Sequence, residues 1–114
     1  MSDVTDLVDA QIAAYRNRDL ERFLGFYAPD VAVKDFDGNV LMDGTESMRE
    51  QYAQLFRDSP NLTVDISSRT IIGDFVVDEE QIGGFTLPGF PTSFRAVVIY
   101  RVKAGKIRDV LFLS

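Results

Sequence analysis

The chain has 114 residues, 46% of them hydrophobic, with nine Phe and four Tyr, a size and composition that suit one domain spanning 1–114 with an apolar core. Its net charge of −6 offers no basic stripe for nucleic acid and disfavours an anionic membrane surface. The absence of His and Cys removes Ser-His-Asp triads, thiol nucleophiles and His- or Cys-ligated metals, so any catalysis falls to carboxylates, phenols, cations, hydroxyls and amides.

The opening Met1-Ser2-Asp3-Val4 is acidic and lacks the basic-then-apolar order of a signal peptide. No apolar run approaches a membrane span, and a cytoplasmic location is expected. Residues 4–15 place Val4, Leu7, Val8, Gln11, Ile12 and Tyr15 on one helical face, with Gln11 the amide on an apolar stripe. Asp19 is a good N-cap for a second helix carrying Leu20, Phe23, Leu24 and Tyr27, which Pro29 should end. Val31 and Val33 alternate with Ala32 and Lys34 as a short strand ending near Asp35. Asp37-Gly38-Asn39 is turn chemistry, after which Val40-Leu41-Met42 resumes an extended run. Thr45 can cap a third helix on which Met48, Tyr52, Leu55 and Phe56 share a face.

The second half reads as strands. Leu62, Val64 and Ile66 alternate with polar residues, and Gly73-Asp74 turns into a run over 75–82. Residues 85–91 hold two prolines and a glycine, so a loop at a sheet edge or over a pocket is expected. Runs at 94–102 and 107–113 flank Lys103-Ala104-Gly105-Lys106, a hairpin signal. Helices gathered early and antiparallel strands gathered late predict an α+β layer fold rather than βαβ units.

Three strings add a family to this reading: Asn17-Arg18-Asp19-Leu20, Phe26-Tyr27-Ala28-Pro29-Asp30-Val31, and Asp43-Gly44-Thr45 before the third helix. With Gly105-Lys106-Ile107 in the last hairpin, they make nearly the whole chain resemble the nuclear-transport-factor-2-like (NTF2-like) superfamily, and within it the ketosteroid-isomerase-like and SnoaL-like proteins. The resemblance implies a cone-shaped, curved antiparallel sheet wrapped around three helices and enclosing a pocket. It places the family's general-base aspartate on Asp35 and its supporting tyrosine of the third helix on Tyr52. The sequence departs from the family where the oxyanion tyrosine falls on Gln11 and the protonated aspartate falls on Val98. Related cyclases and dehydratases rely on histidine, which this chain lacks.

Asp35 is accordingly the candidate catalytic base, and Gln11, Tyr15, Tyr27, Tyr52, Phe56, Glu79 and Val98 are the candidate substrate-binding residues. A carboxylate facing an apolar cavity has its charged form disfavoured, which suits removal of a proton next to a carbonyl. Gln11 and Tyr52 would then supply N–H and O–H donors to the developing enolate. The plainer alternative for Asp35 is that it opens the turn that follows. A calcium loop is imitated by Asp35, Asp37, Asn39 and Glu46, but Val40 stands where such a loop needs glycine, and a hairpin explains these residues more simply. No metal or cofactor is expected.

In Asp78-Glu79-Glu80, alternation puts Glu79 opposite the other two acids, and one of the two faces should look toward the helices. Glu79 becomes a second acid of the site if it faces the cavity. Arg95 or Arg101 on a neighbouring strand could pair an enclosed acid. In the strand 94–102, Arg95, Val97, Ile99 and Arg101 share the face opposite Phe94, Ala96, Val98 and Tyr100. Apolar side chains on both faces imply a covered convex surface, and a homodimer through it is expected. Three functions remain open: an isomerase, dehydratase or cyclase acting on a small hydrophobic carbonyl compound, a non-catalytic ligand-binding domain, and a dimeric interaction domain.

Overall fold

The computed structural model describes residues 3–114. Helix α1 (Asp3–Arg16) buries Val8, Gln11 and Ile12 along one stripe, as the helical spacing requires. It closes with Arg18 in the left-handed region at φ 53°, where backbone bonds from Asn17 and Asp19 to Ala13 and Ala14 satisfy the last carbonyls. Asp19 caps α2 (Leu20–Leu24) by accepting from the Arg22 N–H. That helix is shorter than its apolar pattern predicts. Gly25 ends it, and Tyr27 opens a strand instead of continuing the helix.

Strand β1 (Tyr27–Asp35) is followed by β2 (Val40–Asp43), α3 (Gly44–Asp58), β3 (Thr63–Ile72), β4 (Phe75–Gly83), β5 (Phe94–Lys103) and β6 (Lys106–Leu113). Asp43 rather than Thr45 stands at the N-cap of α3, without a side-chain cap bond. Gly44 supplies the φ of 84° that the strand-to-helix turn needs. The strands form one open six-stranded sheet in the order β2-β1-β6-β5-β4-β3. All neighbours are antiparallel except β1 and β6, which run parallel and join the first-half strands to the second-half strands. Register shifts at Val33/Lys34, Ile66/Ser68 and Arg101/Val102 add the local bends that such irregularities produce.

The helices lie on one face of this sheet. Phe23, Met48, Val31, Val76 and Ile107 are essentially inaccessible between the layers, each stabilising the fold by about 1.5–3 kcal/mol relative to exposure. Arg69 of β3 fastens α1 to the sheet. Its Nε and Nη2 bond both carboxylate oxygens of Asp78 at 2.6 and 2.8 Å, and its Nη1 reaches Asp9 of α1 at 2.7 Å. The α+β class with helices in the first half is the architecture the sequence predicts.

Candidate functional site

Between the helices and the sheet lies a cavity of about 340 Å³. Its mouth is bordered by Leu41 of β2 and by Leu87 and Phe90 of the loop 84–93, with Leu41 and Phe90 both exposed. The wall is mostly apolar and aromatic. Tyr15, Phe23, Tyr52 and Phe56 pack edge-on or tilted with ring centroids 4.7–6.3 Å apart. The first three of these rings touch the cavity, whereas Phe56 packs behind Tyr15 and Tyr52 as their support. This corrects its expected place on the binding surface.

Two strands deliver the polar centre. Inward-facing β4 residues are Val76, Asp78, Glu80 and Ile82, and inward-facing β5 residues are Ala96, Val98 and Tyr100. Glu80 and Tyr100 therefore meet on the concave face, where the Tyr100 hydroxyl donates to Glu80 Oε2 at 2.9 Å. From α1, Gln11 enters the same wall, and its Oε1 accepts from the Tyr27 hydroxyl at 2.8 Å. Gln11 is 2% exposed, yet its Nε2 has no hydrogen-bond partner among the described residues. That N–H lies near enough to the Tyr100 phenol to favour its ionised form slightly, without making a well-formed bond. A buried unpaired donor costs roughly 1–3 kcal/mol, so it marks a place for an acceptor.

Among the described residues, Glu80 is the only charged side chain lining the cavity. Burial pushes its carboxyl up to about 7, against a smaller opposing effect of the Tyr100 hydrogen bond; nearby Asp78 raises it further, and Arg69 and Arg16 lower it. Burial also raises the phenols of Tyr15, Tyr27, Tyr52 and Tyr100, with the Glu80 charge adding to each, so they remain protonated donors.

The remaining candidates fall outside this centre. Asp35 is a correction: its Oδ1 accepts from the backbone of Asp37 and Asn39 and its Oδ2 from the Asn39 side chain, all at 2.9 Å. These bonds, the Asn39 side chain first, hold its carboxyl below the usual range and make it a weak base. The carboxylate serves the turn, and Asp35 does not line the cavity. Glu79 is the second correction. It points to the opposite face of β4 and pairs with Arg95 of β5. Gln11, Tyr15, Tyr27, Tyr52 and Val98 do line the cavity together. Glu80 and Tyr100 were not singled out by the sequence, although the parity that turned Val98 inward also turns Tyr100 inward.

The geometry defines a pocket fold with an acid–phenol–amide wall, and the comparisons give it a family. The chain belongs to the SnoaL-like domain family, whose model matches residues 8–110. It is similar to a cystatin-fold protein from Novosphingobium aromaticivorans, with 25% identity, coverage of 100% of this chain and 99% of the other, and a TM-score of 0.87. A protein with a ketosteroid-isomerase-like fold from Catenulispora acidiphila shares 23% identity over 95% and 84% of the two chains, with a TM-score of 0.75. A candidate polyketide cyclase from Sinorhizobium meliloti shares 18% identity over 94% and 93%, also at 0.75. These confirm the NTF2-like architecture. No curated protein matches the chain in sequence, and no helix among the described residues is long and apolar enough to cross a membrane.

Proposed function

We propose that the protein binds a small hydrophobic carbonyl compound in this cavity and moves a proton on it, as an isomerase, dehydratase or cyclase does, with Glu80 as the acid–base group. The observation that carries this reading is the pairing of a buried carboxyl raised to about 7 with an unpartnered Gln11 N–H in one apolar wall. A group with that proton affinity is available both to take and to return a proton near neutral pH. The Gln11 N–H would donate to the ligand carbonyl oxygen, and that bond strengthens most when the oxygen becomes an enolate. The protonated phenol of Tyr52 adds a donor group to the same wall, while the Tyr27 hydroxyl holds Gln11 in place through its Oε1. The polyketide cyclase candidate among the structural neighbours accords with a carbonyl-rich substrate.

The test is exchange of α-protons into deuterated water across a panel of hydrophobic ketones, followed by NMR. Wild type should accelerate exchange for a subset, Glu80→Gln should lose about 10²–10⁴ of that acceleration, and Asp35→Asn should retain it. If ketones bind but exchange no faster than in buffer, the domain is a binder and the catalytic reading fails.

We also propose a homodimer formed through the outer sheet face, where Phe75, Val77, Ile99 and Leu111 surround Lys34, Arg101 and Asp109. Against a chain charge of −6, this patch carries two cations and one anion, so a second copy can approach it without the repulsion the rest of the surface imposes.

A further inference from the structure

Glu80 presents a need that the carbonyl reading does not meet. It is a buried carboxyl, 6% exposed, and no Lys or Arg forms an ion pair with it among the described residues. Arg69, whose charge acts on Glu80, is already engaged: its Nε and Nη2 bond Asp78 and its Nη1 bonds Asp9. Arg16 donates through Nε to the Val64 carbonyl and keeps an exposed side chain. Buried charges in folded proteins are ordinarily paired. Here the missing counter-charge has a route in, because Glu80 lines a cavity that opens to solvent beside Leu41 and Phe90.

The walls favour the same sign. Tyr15, Phe23 and Tyr52 line the cavity, and a cation that meets the face of such a ring is attracted by its quadrupole. A ligand carboxylate would instead meet Glu80 with no basic side chain on the lining to offset it.

We infer that the cavity takes a second class of ligand, hydrophobic primary amines, held as ammonium ions against the Glu80 carboxylate with the aromatic wall around them. The inference rests on the cavity and on Glu80 facing it, not on the proton-transfer chemistry. The proton balance is simple. An ammonium entering a protein whose Glu80 is protonated leaves the amine charged, makes the carboxylate its partner, and releases one proton to solvent. Besides Glu80, the ionisable groups that share this region are Tyr15 and Arg16 of α1, Tyr27 of β1, Tyr52 of α3, Arg69 of β3, Asp78 of β4 and Tyr100 of β5. The phenols stay neutral and the Asp78 charge is matched by Arg69, which leaves Glu80 as the group that exchanges its proton on binding.

Isothermal titration with 2-phenylethylamine, 2-phenylethanol and 3-phenylpropanoate separates charge from shape. The amine should bind at least about tenfold more tightly than the carboxylate, a difference of about 1.4 kcal/mol. Its affinity should fall as pH drops below about 7, approaching tenfold per unit, with proton release seen as a buffer-dependent heat. Glu80→Gln should erase the preference for the amine while leaving alcohol binding intact, and Tyr52→Leu should weaken the amine more than the alcohol. An amine affinity equal to that of the carboxylate overturns the inference, as does a preference that survives Glu80→Gln or no amine binding up to about 10 mM. Loss of ketone exchange in Glu80→Gln with the amine preference retained rejects this inference alone. Loss of the amine preference with exchange retained rejects the proton-transfer reading alone.

Discussion

Holding a carboxyl in an apolar wall has a cost that depends on pH, and Glu80 is where this chain incurs it. In the unfolded chain its carboxyl ionises near 4.5, and in the folded protein near 7. Between those values the folded state keeps a proton that the unfolded state has lost, so this group's contribution makes stability fall as pH rises through that window and level off above it. The full difference is worth about 3 kcal/mol at most. Glu80→Gln should therefore raise stability at about pH 8 by roughly 1–3 kcal/mol, with the gain vanishing near pH 4.5, as read by urea denaturation at both ends. An equal effect at both pH values would mean that the carboxyl is not buried in solution. Glu80 carries no distinguishing signal in the sequence, because both parities of β4 mix apolar and polar residues. Val76, Asp78, Glu80 and Ile82 are balanced against Phe75, Val77, Glu79 and Gln81. Asp35 occupies the family's base position, but the local turn holds its carboxylate through three donors from Asp37 and Asn39, all within four residues.

At the scale of the elements, α1 and α3 were legible from their helical spacing, and β3 to β6 from alternation and turn residues. What was not legible is non-local. The parallel pairing of β1 with β6 joins residues far apart in sequence, such as Val33 with Val110, and no local signal encodes it. The early end of α2 follows from Gly25 and from the pull of Tyr27 into register with Ile107, which outweighs its helical spacing. Arg69 ties these layers together by matching an Asp78 side chain that is fully inaccessible. Removing one partner of such a pair leaves a buried charge uncompensated, so Arg69→Met should cost about 3–5 kcal/mol. Converting both partners, as Arg69→Met with Asp78→Leu, should recover most of that loss. A single variant that loses less than about 1 kcal/mol in chemical denaturation would show that Asp78 is solvated and that α1 is held by packing alone.

For the whole molecule, one sheet serves two environments. The concave side forms the cavity, and the outer side displays Ile72, Phe75 and Val97 to solvent, an apolar exposure that a one-sided sheet has no need of. Arg101 and Asp109 pair across β5 and β6 in the middle of this face at 2.6 Å, so the patch has a satisfied polar core ringed by apolar side chains. A face of that kind can meet its own copy about a two-fold axis, each apolar rim covering the other and Lys34 of each chain approaching the Asp109 of its mate. Light scattering at micromolar concentration should give twice the chain mass, and Ile99→Asp, which places an acid in the rim, should halve it. Ile99 does not line the cavity, so this variant should keep its fold and its amine binding. A wild-type mass of one chain would remove the dimer, and the apolar outer face would then need a different partner. A monomeric Ile99→Asp that also lost amine binding would instead mean that pairing through the outer face holds the cavity walls in place, since no residue of the patch other than Val110 reaches both sides.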